Sequence, residues 1–335
     1  MRSSIFNSNS SKTSTSYPVP WALVISVAMI CMVESVASVR RERLFASFFL
    51  PGCVPSLDET VVQQKLEVAS NNNVEADVLI LGDSSGLMGV DPVLLEKSAG
   101  LKTYNLCTIA FLGTEGHAMI LEDYLAHHRA PHLVLYTFTP ITMNERSNER
   151  FGHIQRLRKI LHHERSWLPS LDFRTIVRYA AAGDLKNDPL NRSRGVWPSH
   201  NQTMEELRAN QGSMREIASP NWNSVPEIKC QLSKVQSQGL QHLLSICAKQ
   251  GIQLCLMASP LPEIANTQEN LGELQALTDE LKSLISKFDQ ASLAEPMGRF
   301  FANDECSSLS HLHPTGVAKN TNEVAETLKA VLRVK

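Results

Sequence analysis

Apolar positions along this chain follow two periods that alternate. Near-continuous apolar runs predict buried strands over Asp77–Leu81, Lys102–Leu106, Leu133–Phe138 and Ile252–Met257. Between them apolar residues fall three and four apart, as on one face of a helix. Ala118, Leu121 and Leu125 make one such face. Leu240, Leu243, Leu244 and Cys247 make a second, ended by Gly251. A third carries Leu274, Leu277, Leu281, Leu284 and Phe288, and Val324, Leu328 and Val331 mark a last helix. Two helix starts are written in cap residues. Ser56-Leu57-Asp58-Glu59 is a capping box opening a helix toward Ser70, and Asp91-Pro92 supplies an N-cap and a first-turn proline for a short helix through Lys97.

Strands that alternate with helices and are apolar throughout belong to a parallel sheet covered on both faces. The expected domain is therefore α/β and spans residues 55–335. Its pattern breaks between about 143 and 226, where aromatic, basic and polar residues mix without strand alternation. This reads as a helical and loop insertion over the carboxyl edge of the sheet. Ahead of the domain, residues 1–20 are polar and expected to be disordered, and Trp21–Val39 is apolar apart from Glu34 and several serines. At about 1.5 Å per residue such a segment just crosses a hydrocarbon layer of about 30 Å, which makes it a signal-anchor. Small residues at Ser35-Val36-Ala37 also fit cleavage of a signal peptide. Arg40, Arg41 and Arg43 pull the other way, toward a cytoplasmic flank. The expectation is a single-pass membrane anchor with the body outside the cytoplasm, periplasmic or extracellular.

Composition narrows the classes. A chain of 335 residues, 43% hydrophobic and 20% charged, can fill the core of one large domain. A net charge of -2 gives no pull toward polynucleotide, and no zinc-type Cys spacing or Gly-rich phosphate loop is present, so no nucleic-acid partner is expected. Seven cysteines without regular spacing fix no disulfide framework. His127-His128 and His162-His163-Glu164 look like ligand pairs, but neighbours on a helix point about 100° apart, so no metal is expected there. No cofactor is implied. Arg150, Arg156, Arg158, Lys159 and Arg165 lie among Ile154, Leu157 and Leu161. That is a basic amphipathic helix, packed on its own domain or turned to anionic lipid or an acidic polymer.

The candidate chemistry lies in two short motifs. Gly82-Asp83-Ser84-Ser85 directly follows the first apolar run, and His311-Leu312-His313-Pro314-Thr315-Gly316 precedes the last helix. A serine at the carboxyl end of a parallel strand is held out into the crevice where open α/β sheets bind ligands, and a late loop can deliver a histidine to take its proton. With Tyr104-Asn105-Leu106 after the second strand, the chain resembles the GDSL/SGNH hydrolase superfamily, in particular its membrane-anchored branch of polysaccharide O-acetyltransferases and D-alanyl-transfer proteins. The resemblance covers about residues 77–140 and 251–332. It implies a flavodoxin-like three-layer α/β/α fold.

The resemblance also implies roles. Ser84 would be the nucleophile, its own N–H one oxyanion donor, and His311 the base, with His313 the competing imidazole. The family's glycine donor falls on Ala110. Its asparagine donor is missing from Leu135-Tyr136-Thr137-Phe138-Thr139, leaving Asn105, Thr137 or Thr139 as substitutes. The family's aspartate, three residues before the histidine, is here Ser308. Either His311 acts in a dyad, or Asp304 reaches it from farther back, or the site is silent. The implied function is an exported serine esterase or O-acyltransferase acting on acyl esters of a cell-surface or extracellular polysaccharide, with a glycan as partner and a multi-spanning membrane acyltransferase as a second one. The alternative is a catalytically inactive scaffold or glycan-binding component of an exopolysaccharide assembly.

Overall fold

The strands are buried on both sides yet sort their side chains strictly. In the computed structural model, which describes residues 57–70, 74–108, 112–144, 200–215 and 225–333 with Ile25 and Met29, Leu79, Leu81, Val134, Tyr136, Leu254 and Leu256 enter one apolar cluster. Val78, Ile80, Leu133, Leu135, Cys255 and Met257 enter another on the opposite face. That alternation with burial on both sides is the mark of a sheet between two helical layers.

In chain order the elements are α1 (Leu57–Ser70), β1 (Val78–Gly82), α2 (Ser84–Gly89), α3 (Pro92–Ala99), β2 (Thr103–Asn105), α4 (Gly113–His127) and β3 (Leu133–Phe138). After the turn Pro140–Asn144 come α5 (His200–Ala209), α6 (Lys234–Gln250), β4 (Gln253–Ala258), β5 (Leu261–Pro262) and α7 (Gln268–Ile285). The chain continues with β6 (Ala291–Leu293), β7 (Phe300–Phe301) and α8 (Pro314–Arg333). Cap residues set several of these starts and stops. Asp91 accepts the N–H groups of Val93 and Leu94, Ser233 caps α6, and Gly100 and Gly251 end α3 and α6 at φ +70° and +67°.

Five strands form one parallel sheet in the order β2-β1-β3-β4-β6, one strand more than the apolar runs predict, and β5 and β7 pair separately. The winding reverses between β1 and β3. In a sheet of this kind the crevice beyond the carboxyl ends at that reversal is where ligands sit. α1, α4, α6 and α7 contribute to the first cluster, and α2, α3, α5 and α8 to the second.

The described residues from 57 onward belong to one compact unit, Glu42–Trp167 with Lys186–Lys335. Of a second unit, Met1–Arg41 with Leu168–Leu185, only Ile25 and Met29 are described, both helical. The expected anchor segment Trp21–Val39 and the basic helix of the insertion otherwise lie outside the described residues. Among those described, no helix is long and apolar enough to cross a membrane. Part of the insertion is described: Leu207 of α5 and Met214 after it are buried in the second cluster, and the N–H of Asn105 donates to Gln211 O, 2.9 Å. The long excursion after β3 is tied at its base, where the Ser233 N–H donates to Met143 O, 2.9 Å.

Candidate active site

The turn after β1 is held by everything in it except Ser84. Gly82 sits at φ +141°, and a Cβ there would lie 1.8 Å from Thr137 O, so both backbone and space demand glycine. Asp83 is buried at 4% exposure but fully engaged. Oδ1 accepts the N–H and hydroxyl of Ser85, and Oδ2 accepts the Thr139 N–H, 2.9 Å, and the Thr142 hydroxyl, 3.0 Å. Asp83 thus caps α2 and staples the ends of β1 and β3. Gly86 presses α2 onto the sheet, since a Cβ there would meet Thr137 Oγ1 at 1.8 Å and Cys107 Sγ at 2.5 Å. From Gly82 to Val90 every residue is buried except Ser84, which begins α2.

The histidine arrives on a tight loop. Cys306 and Leu312 form an antiparallel bridge, Ser307 and Ser308 donate their N–H groups to His311 O, and the His313 N–H donates to Glu305 O. Ser308, three residues before His311, uses its hydroxyl to accept the N–H groups of Ser310 and His311, 3.2 and 3.1 Å. It shapes the loop's backbone. Glu305 fixes the loop's other side by accepting Lys319 Nζ and the Ala302 N–H, and Gly316 lets α8 start against Glu305 O, which a Cβ would approach to 2.3 Å. At the tip, His311 Nε2 lies 2.9 Å from Ser84 Oγ. For Nε2 to accept that hydroxyl proton the ring carries its own proton on Nδ1.

The other expected site residues fall out differently. Asp304 is exposed on the turn Asn303–Glu305. His313 has no bond to Ser84; its carbonyl accepts the Val317 N–H and caps α8. Asn105 is fully buried, with Nδ2 donating to Gly86 O and Oδ1 accepting the Cys107 N–H. Its amide is committed to α2 and to the residues after β2. Thr137 Oγ1 donates to Leu81 O beneath Gly86 and is equally committed. Ala110 lies outside the described residues. Thr139 is 1% exposed, and its hydroxyl has no hydrogen-bond partner among the described residues. It stands at the end of β3, with its N–H on the carboxylate of Asp83, the residue before Ser84.

A buried chain that the motifs do not announce runs behind the site. Thr108, whose N–H holds Gly82 O, shares a 3.0 Å contact with His117 Nε2, and His117 Nδ1 lies 3.1 Å from the Tyr136 hydroxyl. Burial holds His117 down at about 3, so the ring is neutral, and drives the Tyr136 hydroxyl well above its usual range. Lys65 donates to Asn105 O and Gly212 O, and its burial lowers the ammonium to about 7. The sequence signal for both is a titratable residue on an apolar face, which cannot be told in advance from a solvated one. The described cysteines, 107, 230, 247, 255 and 306, are free and buried, and burial raises Cys107 to about 12. His127 and His128 diverge, Nδ1 of the first on Asp123 O and Nε2 of the second on Val68 O.

Compared with known proteins, the chain matches no family model and no curated protein.

Proposed function

We propose that this chain is an SGNH-type serine esterase or O-acyltransferase, anchored in the membrane by Trp21–Val39, that acts on acyl esters of a polysaccharide outside the cytoplasm. The observation that carries the reading is the 2.9 Å hydrogen bond between Ser84 Oγ and His311 Nε2, at the carboxyl edge of a parallel sheet where its winding reverses. His311 takes the proton of Ser84 as the oxygen attacks the acyl carbonyl. The charge on the tetrahedral intermediate meets the Ser84 N–H, which donates to no described acceptor, and the Thr139 hydroxyl once its side chain turns out of its buried position. The protonated ring then hands its proton to the leaving oxygen, and water or a sugar hydroxyl releases the acyl group. Hydrolysis and transfer differ only in that acceptor.

The family's aspartate position is taken by a serine that shapes the loop instead. Loss of a triad aspartate costs about four orders of magnitude where ring orientation depends on it, which sets the expectation of slow turnover on simple esters. Full-length protein is expected to hydrolyse p-nitrophenyl acetate, and a fluorophosphonate probe is expected to label Ser84 and not the buried Ser85. Ser84→Ala should abolish both with the thermal melt unchanged. Equal turnover by the variant ends the esterase reading. The exposed Asp304 and the committed Asn105 favour a second reading, a silent glycan-binding scaffold. Equal binding of acetylated polysaccharide by wild type and Ser84→Ala, without turnover by either, would establish it.

A further inference from the structure

Ser84 and His311 sit on different elements, one opening α2 and the other three residues ahead of α8. Their separation is therefore the separation of two helix ends. A polar clamp joins the far end of α2 to α8. Arg299 lies between β4 and α8, donating from Nη2 to Ala258 O at the carboxyl end of β4, 2.6 Å. Its Nη1 donates to Asn320 Oδ1, 2.8 Å, and Glu323 Oε2, 2.9 Å, both on α8. Asn320, only 3% exposed, turns its Nδ2 to Gly89 O at the last residue of α2, 2.8 Å. The same face of α8 adds Thr321 Oγ1, which accepts the Asp91 N–H, 3.0 Å. Leu312, next to the histidine, approaches the Cα side of Gly89.

We infer that Arg299, acting through Asn320, is a positioning residue that sets His311 against Ser84. The inference rests on the esterase reading for its consequence but not for its geometry. A guanidinium with planar, forked donors can hold a strand-end carbonyl and two α8 side chains at once, which a lysine ammonium on a flexible stem cannot do with the same fixity. Gly89 O is one of the last carbonyls of a six-residue helix and has no further turn to accept from, so Asn320 is its partner and α2 is tethered to α8 at that point. Loosening the tether leaves Ser84 and His311 each intact on its own loop. What moves is the distance between them, and a proton transfer that needs hydrogen-bond reach is sensitive to that distance.

Arg299→Met, Arg299→Lys and Asn320→Asp test this in full-length protein with two readouts. In ester hydrolysis all three are expected to lose kcat by about tenfold or more with KM within about twofold, as for a group that acts only on the reacting pair. The second readout places a thiol at the nucleophile by Ser84→Cys. A neighbouring imidazolium stabilises the thiolate, so alkylation of the introduced thiol by iodoacetamide, followed on its own peptide by mass spectrometry, should persist well below an ordinary thiol value of about 8.5. In that background the clamp variants should move the alkylation profile upward, toward the profile of a His311→Ala control. If wild type hydrolyses no ester but the alkylation profile of Ser84→Cys shifts with Arg299→Met, the clamp stands and the esterase reading falls. Folded Arg299→Lys and Asn320→Asp proteins with unchanged kcat and an unchanged alkylation profile overturn the clamp. A profile indifferent to His311→Ala overturns it too, because there is then no pair to position. Should Arg299→Met fail to fold, the two conservative variants decide the outcome alone.

Discussion

The Thr139 hydroxyl is buried with no described partner, as is that of Thr203, but only Thr139 bonds the turn that carries Ser84. An unsatisfied buried hydroxyl costs about 1–3 kcal/mol, and this one stands at a strand end beside the Ser84 turn, where its use as an oxyanion donor can be tested. Thr139→Val replaces the hydroxyl with a methyl of similar size. The melt should stay level or rise, while kcat on a small ester falls about a hundredfold, the usual loss for one oxyanion donor. Activity equal to wild type would leave the Ser84 N–H as the donor and make Thr139 a structural residue. The neighbouring positions show what a motif tells. Ser84 and His311 were legible because each sits in a short local pattern at the end of an element. The direction of Asn105 is set by the Gly86 carbonyl on α2, a contact no stretch of sequence around Asn105 encodes. The exposure of Asp304 is set in the same way from outside its own stretch, by the closing of the loop through Ser308 and Glu305.

At the scale of elements, α2 matters most and was least visible. Six residues, two of them glycine, give no helical period to read, and β5, β6 and β7 are too short to show alternation. The longer helices were legible from their apolar stripes, and four of the five strands of the main sheet, the short β2 among them, from their runs. What α2 needs is proximity to the sheet, and Gly86 provides it. In Gly86→Ala the added methyl would overlap Thr137 Oγ1 and Cys107 Sγ, lifting the helix or displacing both side chains. Overpacking of this kind costs about 1–3 kcal/mol. The expected outcome is a lowered melt together with slower fluorophosphonate labelling of Ser84. Combining it with Thr137→Ala, which removes one of the two obstructing atoms, should recover part of each loss beyond additivity. A Gly86→Ala protein with wild-type melt and labelling would contradict this account of the turn.

Across the whole molecule, two buried titratable groups bend stability in the same direction. His117 is held down at about 3 by burial, while in an unfolded chain it binds its proton near 6.5. As pH falls from about 6.5 toward about 3 the unfolded state takes up a proton that the folded state refuses, and stability drops by up to about 1.4 kcal/mol per pH unit. Lys65, lowered by burial to about 7, behaves likewise between about 7 and its ordinary 10.5, so stability rises with pH there. His117→Gln keeps groups able to meet Thr108 and Tyr136 but carries no proton to gain. Its melt should fall less than that of wild type between about pH 7.5 and about pH 4.5. Equal falls would mean that His117 already titrates normally in the folded protein. None of this was readable in advance, because burial of a histidine on α4 depends on Tyr136, a residue of another element.

The hydrogen bond from Ser233 to Met143 has a bearing on how this fold tolerates change. The chain leaves the sheet after β3 and, at Ser233, is back beside the point of departure. A detour whose ends already touch is a closed ring as far as the sheet is concerned. Doubling such a ring adds only about 0.6 kcal/mol of closure entropy, because that term grows with the logarithm of length. Changes of length are therefore cheap in this excursion where they spare residues 200–215, because the Met214 N–H donates to Leu87 O and Ser213 Oγ to Leu87 O and Val90 O, bonds that help hold the Ser84 turn.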